Sequence, residues 1–429
     1  MLNSGLIKDI IKTNEEFIKN EVTGIIPRKK LIGPSKFTSN NLKKVNIFHG
    51  VRRSGKTFLL YDIFKKNKNS SLYIDFEDER LRDLELDDLD FIKENFFELK
   101  PHLIDKKNVF FLLDEVQNIE GWERFARRIT EREGITVYAA GSSSKITPKN
   151  IHTSLRGRAW GIEVFPFSFP EYLQTKDLDL ESSIYGKNKA LIKNALSEYL
   201  TWGGLPEVSL ANSEFEKKKI LKEYLDAVYF KDLIEKYEIS NIPLLETLKE
   251  NIFSSFSSKF SLTAFEKKYR GSFPFSKDSL YSYYNYFLES MFAFETRLFT
   301  SSAYKRRRNP PKIYLVDTGL TRNVRTIDSG RLLENAVFLE LKRKGEEVFY
   351  SDQNGECDFV VKDHNGALQA AQTTWELEEP NKERELKGLV KTCKELKIKK
   401  AEIITFNQES SFEENNIKIN IRPFWKWLL

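Results

Sequence analysis

Five short apolar runs punctuate the first 165 residues, at 45–49, 72–76, 109–113, 136–140 and 162–165, and longer amphipathic stretches separate them. That alternation predicts a parallel sheet covered by helices. The acidic stretch 75–98, DFEDERLRDLELDDLDFIKENFFE, repeats its apolar residues at helical spacing and predicts a helix with a solvated face. From 167 to 323 the pattern turns helical and aromatic, broken by WGGLP at 202–206 and by the basic run YKRRRNPPK at 304–312. WGGLP reads as a backbone turn and carries no chemistry of its own. After Gly330 the order is helix (332–343), strands (347–350, 357–361, 367–372), helix (382–396) and strand (401–406), a second α/β region. There is no internal repeat and no low-complexity linker.

The first run leads into Gly50-Val51-Arg52-Arg53-Ser54-Gly55-Lys56-Thr57, which matches G-x-x-x-x-G-K-[ST] and opens the amphipathic stretch TFLLYDIFKK. A strand, a glycine-rich turn and a helix in that order predict a cradle for ATP·Mg²⁺. Backbone amides of Gly50, Arg53, Ser54, Gly55, Lys56, Thr57 and Phe58 would close around the phosphates. The Lys56 ammonium would neutralise the β/γ oxygens, and the Thr57 hydroxyl would face Mg²⁺. The run VFFLLDE ends in Asp114 and Glu115, delivered to the carboxyl edge of the sheet where ligands bind. Asp114 is expected to hold Mg²⁺ with Thr57, and Glu115 to orient the attacking water or accept its proton. The run TVYAA ends in Gly141-Ser142-Ser143-Ser144. Ser143, or Ser142, is expected to touch the γ-phosphate, although a serine-rich turn also suits the start of a helix. Downstream lie Arg156 and Arg158; either is a candidate arginine finger, and either is an ordinary surface ion pair.

Length changes this picture little: 429 residues exceed what one core usually organises, so two or three domains are expected. The net charge of +6 permits DNA as a partner without requiring it. Two cysteines, Cys357 and Cys393, fit neither a zinc site nor a disulfide framework. With an acidic start and no apolar run long enough to span a bilayer, the expectation is a soluble, cytoplasmic protein with no membrane partner.

The stretches GVRRSGKTFLL, LYIDFEDERL, LLDEVQNIEGWERF, AAGSSSKI, LRGRAWGIEVFPFSFPEYL, WGGLPEV, KIYLVDTGL, LLENAVFLEL and ECDFVV run almost end to end. Together they resemble the prokaryotic AAA-like ATPase family that carries a C-terminal domain of unknown function with a restriction-endonuclease-like fold. The resemblance implies a RecA/AAA-type P-loop core at 1–165, a helical lid at 166–225, a winged-helix-like domain at 226–325 and an endonuclease-like α/β domain at 326–429. Active members of that last fold use an acid on the first helix, an acid on the next strand pair and a Glu-x-Lys on the following strand, to hold divalent metal and activate water. Glu334 and Asp358 stand in the first two places. Gln372 and Thr374 stand in the third, with neither the acid nor the lysine, so that Gln372 is the candidate third metal ligand and cleavage is in doubt. The basic run Lys305-Arg306-Arg307-Arg308 falls where such a domain places its wing, and phosphate contacts there would be salt-sensitive. A protein partner and an oligomer are equally compatible with the resemblance.

Overall fold

The structure is a computed structural model that describes residues 3–28, 43–141, 146, 155, 157–180, 186–323, 328–352 and 355–429. The chain divides into two units, Met1–Phe165 and Pro166–Leu429.

In the first unit the apolar runs become strands β1 (Val45–His49), β2 (Ser71–Asp75), β3 (Phe110–Asp114), β4 (Thr136–Ala140) and β5 (Ala159–Glu163). All pair in parallel, in the order β2-β3-β4-β1-β5. Every residue of β1 is buried. Its alternate side chains go to opposite faces: Val45 and Ile47 join one core with Leu72, Ile74, Leu113 and Val137, while Phe48 joins the other with Leu59, Leu60 and Ile63. Burial on both faces is why these strands read as unbroken apolar runs. The fifth expected run, 162–165, is displaced: β5 begins at Ala159 and is only partly buried, with Trp160 40% exposed. An edge strand covered incompletely needs no continuous apolar run, so the sequence signal pointed to the buried Val164 and Phe165 beyond it. The acidic stretch folds as a 3₁₀ turn at Glu79–Leu81 and a helix at Asp88–Leu99, whose Leu89, Ile92 and Phe96 face the core. Since chain order reverses around β1, the carboxyl ends of β1, β3 and β4 form a crevice at the switch point, and β2 brings Asp75 opposite Asp114.

The second unit is built on one nine-stranded sheet, ordered β13-β14-β12-β11-β10-β9-β7-β8-β6. Three helices, Ile242–Ser254, Leu262–Tyr269 and Lys277–Glu289, are N-capped by Asn241, Ser261 and Ser276, each accepting from a first-turn amide. Among and after them come β6 (Ser258–Lys259), β7 (Ala293–Leu298) and β8 (Lys312–Leu315), antiparallel in the order β6-β8-β7. The remaining strands are β9 (Glu347–Ser351), β10 (Cys357–Lys362), β11 (Leu368–Thr373), β12 (Lys400–Thr405), β13 (Ser410–Glu414) and β14 (Ile417–Pro423). Parallel pairing of β7 with β9, Arg297 opposite Phe349 and Leu298 opposite Tyr350, joins the two sets. The stretch expected as three blocks at 166–225, 226–325 and 326–429 lies within this second unit, and the β7–β9 pairing crosses the boundary expected between the last two.

WGGLP turns out to be a joint rather than a plain turn. The buried Asp317 carboxylate accepts the Gly204 amide at 2.7 Å and the Gly319 amide at 2.8 Å. Gly203 has φ +80, and a Cβ there would lie 1.6 Å from Asp317 Oδ1, so only glycine fits. Burial, only partly offset by those amides, pushes the Asp317 carboxyl from 3.8 up to about 6. An acid with a raised folded-state pKa stabilises fully below its unfolded pKa and loses that contribution as pH rises through the folded value. Asp317 should therefore cost the folded state about 3 kcal/mol between pH 4 and 6 and nothing further above that. Urea unfolding of wild type and Asp317→Asn over that range checks it. The stability gap between them should change by that amount, in the direction of wild-type loss; a gap independent of pH would refute the assignment.

Candidate active site

The loop after β1 needs its glycines for different reasons. A Cβ at Gly50 would sit 2.2 Å from the Val164 carbonyl oxygen, and Gly55 caps the following helix with φ +90. Arg53 is also left-handed, at φ +59. The helix Lys56–Lys66 then starts at the loop, with its unpaired amides and positive dipole end toward it. Lys56 is buried, and its ammonium donates to the Gly50 and Val51 carbonyls at 3.1 and 2.9 Å. The Ser54 hydroxyl is fully buried without a hydrogen-bond partner, although its backbone carbonyl accepts the Arg28 guanidinium at 3.1 Å. A closed loop holding an orphaned hydroxyl and a buried ammonium that donates to the loop's own carbonyls is a donor set suited to a polyphosphate.

Asp114 ends β3, 2% exposed. Burial pushes its carboxyl up to about 7, Glu115 and Asp75 push the same way, and a hydrogen bond from Thr57 opposes them. A carboxylate so destabilised, touching the Thr57 hydroxyl, fits a divalent cation, which would discharge it. Tyr73 donates to Asp114 Oδ2 at 3.2 Å. Glu115 takes the left-handed region at φ +48, uncommon outside glycine, and its carboxylate accepts from the Gln117 amide. Gly141 follows β4 directly, and a Cβ there would lie 2.2 Å from Gln117 Oε1 and 2.3 Å from Ile146 Cδ1, so both side chains would have to shift.

The structure thus brings together Gly50, Arg53, Ser54, Gly55, Lys56, Thr57, Asp114 and Glu115. Phe58 stands in the first turn of the helix that opens at the loop, while its ring is 51% exposed and packs edge-on against Tyr61. Arg158 lies at the opposite edge of the sheet, where its carbonyl accepts the Val45 amide at the start of β1. Five strand residues, about 16 Å, separate that edge from the loop, and the Arg158 guanidinium pairs with Glu131 instead. It cannot reach a phosphate held by its own chain. Ser142, Ser143 and Arg156 fall outside the described residues. Sequence reasoning missed Arg28, Tyr73 and Gln117. Only Tyr73 left a trace, as the one hydroxyl inside the apolar run beside β3.

In the second unit Glu334 (on the helix Ser329–Arg343), Asp358 and Gln372 do converge, with Asp358 beside a register break in β10 between Cys357 and Val360. The expected metal does not fit there. The Lys312 ammonium from β8, 1% exposed, lies 3.1 Å from Glu334 Oε1, 2.9 Å from Asp358 Oδ1 and 2.7 Å from Glu356 Oε1. Gln372 spends its carbonyl oxygen on the Asp358 amide (3.0 Å) and its amide group on Glu385 (2.6 Å). Among the described residues no group of three or more His, Cys, Asp or Glu is arranged to hold a metal ion. Lys305 to Arg308 form a short helix, Ala303–Arg308, rather than a loop, because Ser302 caps it by accepting the Lys305 amide. All four basic side chains are exposed, and Arg308 lies over the ring of Tyr304, itself 69% exposed. No helix among the described residues is long and apolar enough to cross a membrane.

Comparison with known proteins adds to this geometry. Residues 42–173 match the model of an AAA domain, and residues 193–331 match a domain of unknown function, DUF8612. An uncharacterized protein of Methanocaldococcus jannaschii is 35% identical over 401 residues, covering 90% of this chain and 88% of its own length. An uncharacterized protein of Haemophilus influenzae is 26% identical over 333 residues, covering 74% and 79%. Among solved structures, a Walker-type ATPase of Pyrococcus abyssi superposes with a TM-score of 0.46 at 14% identity, over 69% of this chain and 95% of that one.

Proposed function

The chain belongs to a family of AAA-like P-loop ATPases that carry a domain of unknown function behind the AAA domain, and from that premise we propose that it hydrolyses ATP with Mg²⁺ and couples nucleotide state to DNA binding. The observation that carries the hydrolytic part is the meeting of Lys56, Thr57, Asp114 and Glu115 at one sheet edge. Lys56 and the loop amides bind and orient the phosphates. Thr57 and Asp114 would hold Mg²⁺, which when bound supplies positive charge against the β and γ oxygens. Glu115, positioned by Gln117, takes the proton of the attacking water or fixes its direction. Tyr73, by donating to Asp114, keeps that carboxylate aimed and is a positioning residue. Ser143 follows β4 in the chain and remains the proposed γ-phosphate contact on sequence grounds.

The DNA part rests on 242–315. Three capped helices with antiparallel strands among and after them, in the order β6-β8-β7, support a winged-helix reading, in which Ala303–Arg308, between β7 and β8, would be the wing. Four exposed cations beside an exposed tyrosine suit phosphates with a base stacked on the ring. Release of phosphate from ATP, measured with and without duplex DNA over a salt series, tests both parts. We expect Mg²⁺-dependent release, stimulated by DNA at low salt. The stimulation should fade as salt rises, and fade earlier when Arg306, Arg307 and Arg308 are replaced by glutamine. No release under any condition would sink the ATPase proposal; release indifferent to DNA would turn the wing toward a protein partner.

A further inference from the structure

We infer that Lys312 is the resident cation of the acid cluster in the second unit, standing where the related endonuclease-like folds hold a divalent metal. An ammonium group has three N–H donors. Here each meets a different carboxylate, those of Glu334, Asp358 and Glu356, between 2.7 and 3.1 Å. These are ordinary N–H···O lengths, whereas Mg²⁺ requires oxygens near 2.1 Å and Ca²⁺ near 2.4 Å. Neighbouring groups of the cluster carry further hydrogen bonds. Asp358 Oδ2 accepts the Thr373 amide at 2.9 Å, and Tyr314 donates to Glu334 Oε1 at 2.8 Å. Gln372 bridges Asp358 and Glu385 with both ends of its amide. An incoming ion would have to compete with Lys312 for Glu334 Oε1 and Asp358 Oδ1.

Expulsion is opposed by burial. The lysine stem lies within the sheet, and the carboxylates hold its ammonium well above the usual lysine range. Drawing it out would leave buried carboxylates uncompensated. The cluster borders a cleft lined by Arg331, Glu334, Glu356, Asp358, Gln372 and Thr373, so exclusion of metal is due to the lysine and not to lack of access. The residue that neutralises the acids also comes from β8, four residues beyond the wing helix Ala303–Arg308. The charge balance of the C-terminal strands thus depends on a strand of the helical module.

Melting of the whole nucleotide-free chain with EDTA or Mn²⁺ tests the assignment. Wild type should melt within about 1 °C in EDTA and in 1 mM Mn²⁺. Lys312→Met should melt several degrees lower in EDTA and recover about 5 °C in Mn²⁺, and the recovery should vanish in Lys312→Met/Asp358→Asn. Either of two results overturns the inference. One is wild type stabilised by Mn²⁺ in a way that Asp358→Asn abolishes. The other is a folded Lys312→Met as stable as wild type and indifferent to Mn²⁺. Should Lys312→Met fail to fold, direct Mn²⁺ titration of wild type against Asp358→Asn decides alone: equal binding supports the inference, and a site lost with Asp358 refutes it.

Discussion

Replacing Lys56 with alanine is expected to lower ATP turnover by about 10³-fold or more and to weaken nucleotide binding at the same time. The ammonium is buried in the loop, where its attraction for phosphate oxygens is screened far less than in water; a loss of roughly 4 kcal/mol is enough for that factor. It donates to the Gly50 and Val51 carbonyls, bonds that phosphate oxygens of ATP would replace. Saturating ATP·Mg²⁺ at 100 times Kd should stabilise wild type by about 2.7 kcal/mol, and much less in the variant. Phosphate release and melting shifts measure the two effects separately. Wild-type turnover in Lys56→Ala would remove the loop from the chemistry.

Glu115→Gln should separate binding from chemistry. The amide keeps the size of the side chain and an oxygen for Gln117 to donate to, but it cannot take a proton. Turnover is expected to fall about 10²- to 10⁴-fold, with ATP affinity within a few-fold of wild type. Single-turnover hydrolysis beside equilibrium binding gives both numbers. If turnover persists, another carboxylate serves as base. Asp75 is then the group to replace, since burial has already raised its carboxyl and it sits opposite Asp114 in the sheet.

The nucleotide site was legible because its parts are local: eight consecutive residues make the loop, and two consecutive acids end a fully apolar strand. What the sequence hid is what the fold assembles from a distance. Arg28 reaches the Ser54 carbonyl across 26 residues, and Tyr73 reaches Asp114 across 41. Arg158 looked like a finger because it follows the nucleotide motifs; the early start of β5 puts it at the wrong edge. Lys312 closed a basic run that suggested a solvated wing, yet it faces Glu334 and Asp358, 22 and 46 residues onward. No spacing rule connects a lysine on one antiparallel strand to acids on a helix and a strand of a different set. WGGLP was read as a plain turn, but the demand for glycine at 203 came from Asp317, more than a hundred residues later, and the demand at 204 from the Phe167 carbonyl.

The hydrogen bonds between β7 and β9 bear on how force would travel. A flexible tether would let the helix Ala303–Arg308 swing while the rest of its unit stayed still. Strands sharing one hydrogen-bonded plate cannot do that, so a tug on the helix Ala303–Arg308 would be felt at once along β8 and at the acids that Lys312 holds. Mechanical work on the unit would have to twist it whole.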